Sequence, residues 1–270
     1  MRDISRSFLL ACRDIFHPSM MWLTVRPFVI IGVVWSIFLW FTWNPLLDWT
    51  KFIITQSWLS MWITKVLSNV GWEGVRAALS PYLVVVMLMP LIIISLIVVV
   101  SYSSMTAIMK FVERQKSYQG IRQAKGGSFF GSLWNTIALS FLGLFLMFVS
   151  FPLWWIPPLF SIIPPCIWGW FTAKLMSYDV LTLHADKEER DRICREKRFG
   201  LLFIGIVSGL LGAVPTFFWL SSIFVLILFP FVSLFMMWVY SVIFIFVSLW
   251  FGHYLLFALR VDRQLRGESL

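Results

Sequence analysis

The chain has 270 residues, 60% of them hydrophobic and only 13% charged, with a mean hydropathy of +0.85. Soluble domains carry about 25% charged residues, and no fold of this length hides so much apolar surface from water. The composition therefore excludes a soluble globular domain, a disulfide-stapled secreted domain, a disordered chain, a coiled coil and a DNA-binding domain, and makes the lipid bilayer the solvent for most side chains. The net charge of +9 does not point to nucleic acid. The 22 Lys and Arg sit in blocks between apolar runs, with four before residue 27, three in 44–80, five in 110–125, six in 184–198, three after 259, and Lys174 alone. That is the pattern of topogenic loop charge.

In chain order, residues 1–17 read as an interfacial helix. At 100° per residue Ile4, Phe8, Ala11 and Ile15 share one face, with Cys12 at its edge, and Arg2, Arg6 and Arg13 share the other. A partner-binding amphipathic helix is the rival reading. No apolar core with a small-residue cleavage site follows these charges, so a cleavable signal peptide is not expected. His17-Pro18 ends the helix, because proline biases its predecessor out of helical geometry. Six apolar segments follow, at 27–43, 81–109, 129–151, 157–176, 199–229 and 231–259. The 44–80 loop, with Trp49, Trp58, Trp62 and Trp72 after Trp43, suits the aromatic belt of a membrane interface. Pro164 and Pro165 are expected to bend or break the fourth segment, and Pro215 to split the fifth. Each piece of the split segment, 201–214 and 216–229, would run about 21 Å, short of the ~30 Å core.

The expected fold is therefore all-α: one polytopic helical membrane domain over 1–270, with some segments penetrating only halfway and an amphipathic N-terminal helix. Counting basic residues places both termini, the 110–128 loop and the 177–198 loop on the cytoplasmic side. Within 184–198, six basic and five acidic residues alternate, as in a solvated helix with i,i+4 pairs Glu188–Arg192 and Asp191–Arg195.

The search for chemistry returns mostly exclusions. His17, His184 and His253 fit no metal-ligand spacing, Cys12, Cys166 and Cys194 no paired one, and Lys125-Gly126-Gly127-Ser128 lacks the order of a phosphate loop. Neither a cofactor, a metal nor an enzymatic activity is expected. Apart from Asp179, no Asp or Glu lies in or beside the apolar segments, which speaks against proton coupling. Prolines give the positive hint: a helix that restarts within the membrane offers free amides and the positive end of its dipole to an anion. Backbone amides after Pro157 or Pro215, assisted by Asn135, Ser161 or Thr216, are the candidate anion path. Simple bends and hydroxyl groups binding helix to helix are the rival readings.

The run Trp154-Trp155-Ile156-Pro157-Pro158, then Pro164-Pro165, Trp168 and Tyr178-Asp179 before the charged 184–198 stretch, resembles the CysZ-like sulfate permease family, grouped with etoposide-induced protein 2.4. Gly205, Gly212, Pro215 and Pro230 resemble its second helical hairpin, and His17-Pro18 through Pro27 its entry into the first long helix. The resemblance implies a bacterial inner-membrane protein with two long crossing helices and two half-penetrating helix pairs, assembled as a homo-oligomer and taking up sulfate. Sulfate-type relatives carry a Gly-Leu/Ile-Arg-Arg-like turn before the first long helix. The corresponding place here reads Ser19-Met20-Met21-Trp22, with Arg26 one turn further on as the remaining candidate for the anion path.

The expected function is a permease or channel for a small inorganic anion, sulfate by resemblance, working without ATP or proton coupling in this chain. The alternative is a non-transporting module that shapes the bilayer or docks partners.

Overall fold

In hydrocarbon every backbone N–H and C=O must find its partner within the protein, which leaves helices as the economical way to build from these apolar runs. A computed structural model describes residues 2–56, 73–115, 118, 129–155, 157–182, 184–220 and 228–267. Among them the regular elements are all helical: α1 (Arg2–Ile15), α2 (Pro18–Gln56), α3 (Glu73–Glu113), α4 (Phe129–Ser150), α5 (Pro157–Leu181), α6 (Lys187–Glu196), α7 (Arg198–Leu220) and α8 (Phe229–Arg266), with a 3-10 turn at Phe151–Trp155 before α5. The break at Phe16-His17 falls where the His17-Pro18 step places it.

Among the described residues, three stretches are long and apolar enough to cross a membrane: Pro18–Phe52, Ser80–Glu113 and Phe229–Arg266. Two more helical stretches, Ile137–Leu153 from α4 into the 3-10 turn and Arg198–Gly212 in α7, are apolar. Large side chains such as Trp40, 85% exposed, stand outward on these helices. In water such a surface would be an aggregation site, and in lipid it is simply solvated.

Several boundaries differ from the sequence expectation, and proline is the common reason. α2 runs through Pro27 and Pro45 to Gln56, so residues 44–56 are helix rather than loop; α3 passes Pro81 and Pro90; α5 contains Pro164 and Pro165; and α7 continues through Pro215 to Leu220. Each proline removes one amide donor, but an apolar helix with no water to compete for its backbone has no better conformation to fall into. Trp58, Trp62 and Trp72, and the 125–128 link, lie outside the described residues.

The chain divides into two compact units, one of Met1–Leu23, Tyr102–Ser221 and Val239–Leu270, the other of Thr24–Ser101 and Ser222–Trp238. In the second, the Trp238 indole N–H donates to Thr24 Oγ1 at 3.3 Å, and Ile31, Val84, Leu88, Leu96 and Met236 are buried. The first holds the larger core, centred on Ile245, Leu249, Phe251, Leu255 and Leu259 of α8 with Ala11, Ile108, Val180 and Ile204. There the apolar face of α1 meets protein. Ala11 and Ile15 are buried, Phe8 stacks edge-on against Phe246 and Trp250, and the Trp250 indole N–H donates to the Ile4 carbonyl at 3.3 Å.

Also in the first unit, α5 packs against α4 and, most closely, against α7. The closest approach is at Gly169 and Gly205. A Cβ on Gly205 would lie 2.1 Å from the Gly169 carbonyl oxygen, and one on Gly169 would lie 2.7 Å from the Ile206 backbone. Small residues at such a crossing let helices associate where no hydrophobic force distinguishes protein from lipid. Gly205→Ala or Gly169→Ala is expected to cost about 1–3 kcal/mol through overpacking, read as a lowered melting temperature in detergent. Gly212→Ala, with nothing within 4 Å of its added Cβ, serves as the neutral control.

Candidate functional site

From the Gly169–Gly205 crossing, α5 runs on toward its C-terminus and α7 back toward its N-terminus. Between them and α6 lies a cavity of about 530 Å³, lined by Lys174 and Ser177 of α5, Cys194 of α6 and Arg198 of α7, with Trp170, Ala173, Phe199, Leu201 and Leu202 as its apolar walls. Among the described residues no carboxylate lines it. Lys174 and Arg198 make no ion pair with a described residue; the Arg198 guanidinium lies 4.7 Å over the Phe199 ring. Ser177 is 2% exposed and its hydroxyl lies toward the Cys194 thiol. Burial pushes the Cys194 thiol up, with the Lys174 and Arg190 charges pulling the other way, so the thiol stays neutral. Two cations and a buried hydroxyl suit a small oxyanion: the cations supply charge, the hydroxyl a directed donor.

The charged segment after α5 is fixed to the bundle rather than standing free. Arg192 pairs with Asp262 of α8 at 2.7 Å in place of the expected Glu188, and Arg263 reaches Glu189 at 3.0 Å and donates to the His184 carbonyl at 2.7 Å. Glu189 also accepts from the Asp186 amide at the start of α6. The hydrogen bond from Arg263, against the pull of burial, holds its carboxyl below the usual range. Arginine forks bind a carboxylate better than the exposed i,i+4 alternative.

Two histidines excluded as metal ligands prove to be buried partners of carboxylates. His253 of α8, fully buried, places Nε2 2.9 Å from Asp14 Oδ2 of α1 and Nδ1 3.1 Å from the Tyr118 hydroxyl. Asp14, 4% exposed, also accepts from Gln115 and, at 3.0 Å, from Arg13. Burial would raise its carboxyl, but the hydrogen bonds from His253, Gln115 and Arg13 outweigh it and hold the group below its ordinary value. Burial pushes the Tyr118 hydroxyl up to about 12. His184 places Nε2 2.6 Å from Glu113 Oε1 and Nδ1 3.1 Å from the Val180 carbonyl. That carbonyl only accepts, so Nδ1 carries a hydrogen. No Asp or Glu lies within the expected apolar segments themselves, yet the fold brings Asp14 to His253 inside the 231–259 run. Asp14 arrives from a helix remote in sequence, and Glu113 and Asp262 lie in the final turns of helices longer than their apolar runs. A histidine inside the 231–259 run and a lysine inside 157–176 were the available signals, since ionisable groups in apolar segments need partners or a purpose.

The residues expected on the anion path lie on four helices. Arg26 is exposed on α2, in the second unit. Asn135, Ser161 and Thr216 fall on α4, α5 and α7 of the first unit, where α5 packs against the other two helices, but their side chains lie outside the described ones. The expected helix restart at Pro215 does not occur. A continuous helix frees no amide there, only the carbonyl one turn earlier, which has the wrong polarity for an anion. Pro157 does begin α5. Sequence reasoning missed Ser177, Cys194 and Arg198 because nothing local marks them; only the antiparallel crossing brings 174–177 and 198–202 together.

Asp179 lies just beyond the apolar stretch, and burial raises its carboxyl from 3.8 to about 6. An acid raised in the folded state costs stability once ionised, so stability falls as pH rises from about 4 to 6 and stays reduced above that. Asp179→Asn is expected to raise the melting temperature at pH 7.5 and to flatten the profile across that window. Asp14 has the opposite sign. Its contribution is present at neutral pH and lost as pH drops below the ordinary carboxylate range, so Asp14→Asn is expected to lower the melting temperature at pH 7.5 and to shrink the acid limb.

The family described as sulfate transporter CysZ/etoposide-induced protein 2.4 matches residues 7–222, a span that runs from α1 through α7 and contains the cavity with its two cations. Neither the curated proteins nor the solved structures give a match. With well over half of its length matched, this membrane protein belongs to the family described as sulfate transporter CysZ/etoposide-induced protein 2.4.

Proposed function

We propose that the protein is a permease or channel for a small inorganic anion, sulfate in the first instance, in a bacterial inner membrane with both termini cytoplasmic, and that it works as a homo-oligomer. The family match over residues 7–222 carries this reading. The cavity of Lys174, Arg198 and Ser177 supports it as an anion-binding station, because it joins two cations to a buried donor with no carboxylate among its described lining residues to repel the ligand. The lipid bilayer supplies the remaining surroundings. The distribution of Lys and Arg favours the stated orientation. Neither ATP nor proton coupling is assigned to this chain, and the anion moves down its own gradient.

Uptake of labelled sulfate into proteoliposomes tests the reading. The folded protein is expected to exceed empty liposomes, and Lys174→Gln with Arg198→Gln to lower the rate about tenfold, the scale of losing charge-assisted hydrogen bonds. A rate equal to that of empty liposomes, with the protein shown to be folded, removes the sulfate reading. The buried Asp14–His253 pair is the specific reason to repeat the assay with an imposed pH gradient, where a passive permease shows no dependence on the gradient's direction.

A further inference from the structure

Phe199 also lines a second, larger hollow of about 810 Å³ between α1, α7, α8 and the end of α6. Its walls are apolar, formed chiefly by Ile4 and Phe8, Phe203 and Val207, and Trp250. Its charged lining consists of Asp3 from the first turn of α1 and Glu196 and Lys197 from the end of α6. None of these three side chains makes an ion pair with a described residue. Tyr254 also lines the hollow. It is 6% exposed, and its hydroxyl forms no hydrogen bond to a described residue. That hydroxyl stands close against α7, since a Cβ added to Gly200 would lie 2.2 Å from it. Glycine at 200 is thus what lets the phenol sit at the edge of the hollow.

An apolar trough with two carboxylates, one ammonium and a buried phenol at its edge does not suit an inorganic anion. It suits an amphiphile that carries both signs of charge at one end. We propose that this hollow binds a zwitterionic phospholipid with a primary ammonium headgroup, phosphatidylethanolamine. The acyl chain fills the trough against Phe8, Phe203 and Trp250, the phosphate takes Lys197 and the Tyr254 hydroxyl, and the ammonium takes Asp3 and Glu196. Charge complementarity selects among headgroups. A primary ammonium donates hydrogen bonds to the carboxylates, a quaternary choline offers charge without donors, and an anionic glycerol headgroup meets two like charges.

The full-length protein, purified in mild detergent and delipidated, is titrated with phosphatidylethanolamine, phosphatidylcholine or phosphatidylglycerol at equal mole fraction. Retained lipid is read by native mass spectrometry, and the melting temperature is read alongside. Phosphatidylethanolamine is expected to be retained about tenfold more than the other two, the scale of charge-assisted hydrogen bonds gained or lost. Asp3→Asn with Glu196→Gln is expected to erase that preference while leaving the lipid-free melting temperature unchanged. Tyr254→Phe is expected to lower retention of all three lipids; should that variant fail to fold, the rim double variant decides. Equal retention of the three lipids by the wild type, or an unchanged preference in the double variant, overturns the proposal. Because retention is measured without transport, it stands or falls separately from sulfate uptake.

Discussion

Helices in a bilayer gain nothing from hiding apolar surface from one another, because lipid covers it equally well. What holds them is close contact and the hydrogen bonds that close contact permits. In the first unit the backbones of α5 and α7 approach at Gly169 and Gly205 to a distance no side chain allows. The cavity follows from that crossing: helices that touch so closely at one level leave room beyond it, and the residues facing that room are Lys174, Ser177 and Arg198. Moving the crossing by one residue would turn a different set of side chains into the space.

A second layer of restraint is polar. Asp14–His253, Glu113–His184, Glu189–Arg263 and Asp262–Arg192 join α1, α3, α6, α8 and the segment after α5. Each charged member has at least one partner, as burial demands. Removing one member of such a pair strands the other, and it is this asymmetry, rather than the net strength of any pair, that makes the arrangement specific.

Much of the fold was legible in the sequence. Composition alone identifies the solvent, the apolar runs identify the helices, and the arginines opposite Ile4, Phe8, Ala11 and Ile15 identify α1. The split expected at Pro215 does not occur, because the rule that proline ends helices comes from water, where a freed carbonyl can hydrate and the chain can turn. In α2, α5 and α7 helix continues on both sides of it. The site was far less legible. Lys174 stood out as a lone charge and His253 as a lone ionisable group in an apolar run, but their surroundings depend on contacts between residues distant in the chain. Arg198 and Ser177 are ordinary residues until the α5–α7 crossing sets them on one cavity. Arg26, chosen by its place near a family turn, stands exposed in the other unit.

The seating of α1 on α8 bears on biosynthesis. Ile4 and Trp250 are separated by 246 positions, and Asp14 and His253 by 239. A ribosome adding about 5–20 residues per second needs on the order of tens of seconds to bridge such a separation. Throughout that wait the nascent first helix has its greasy side uncovered and its aspartate without the imidazole. The headgroup layer of the membrane is the one nearby medium that accepts both, so the bilayer surface acts as a temporary cradle until the last helix emerges to replace it.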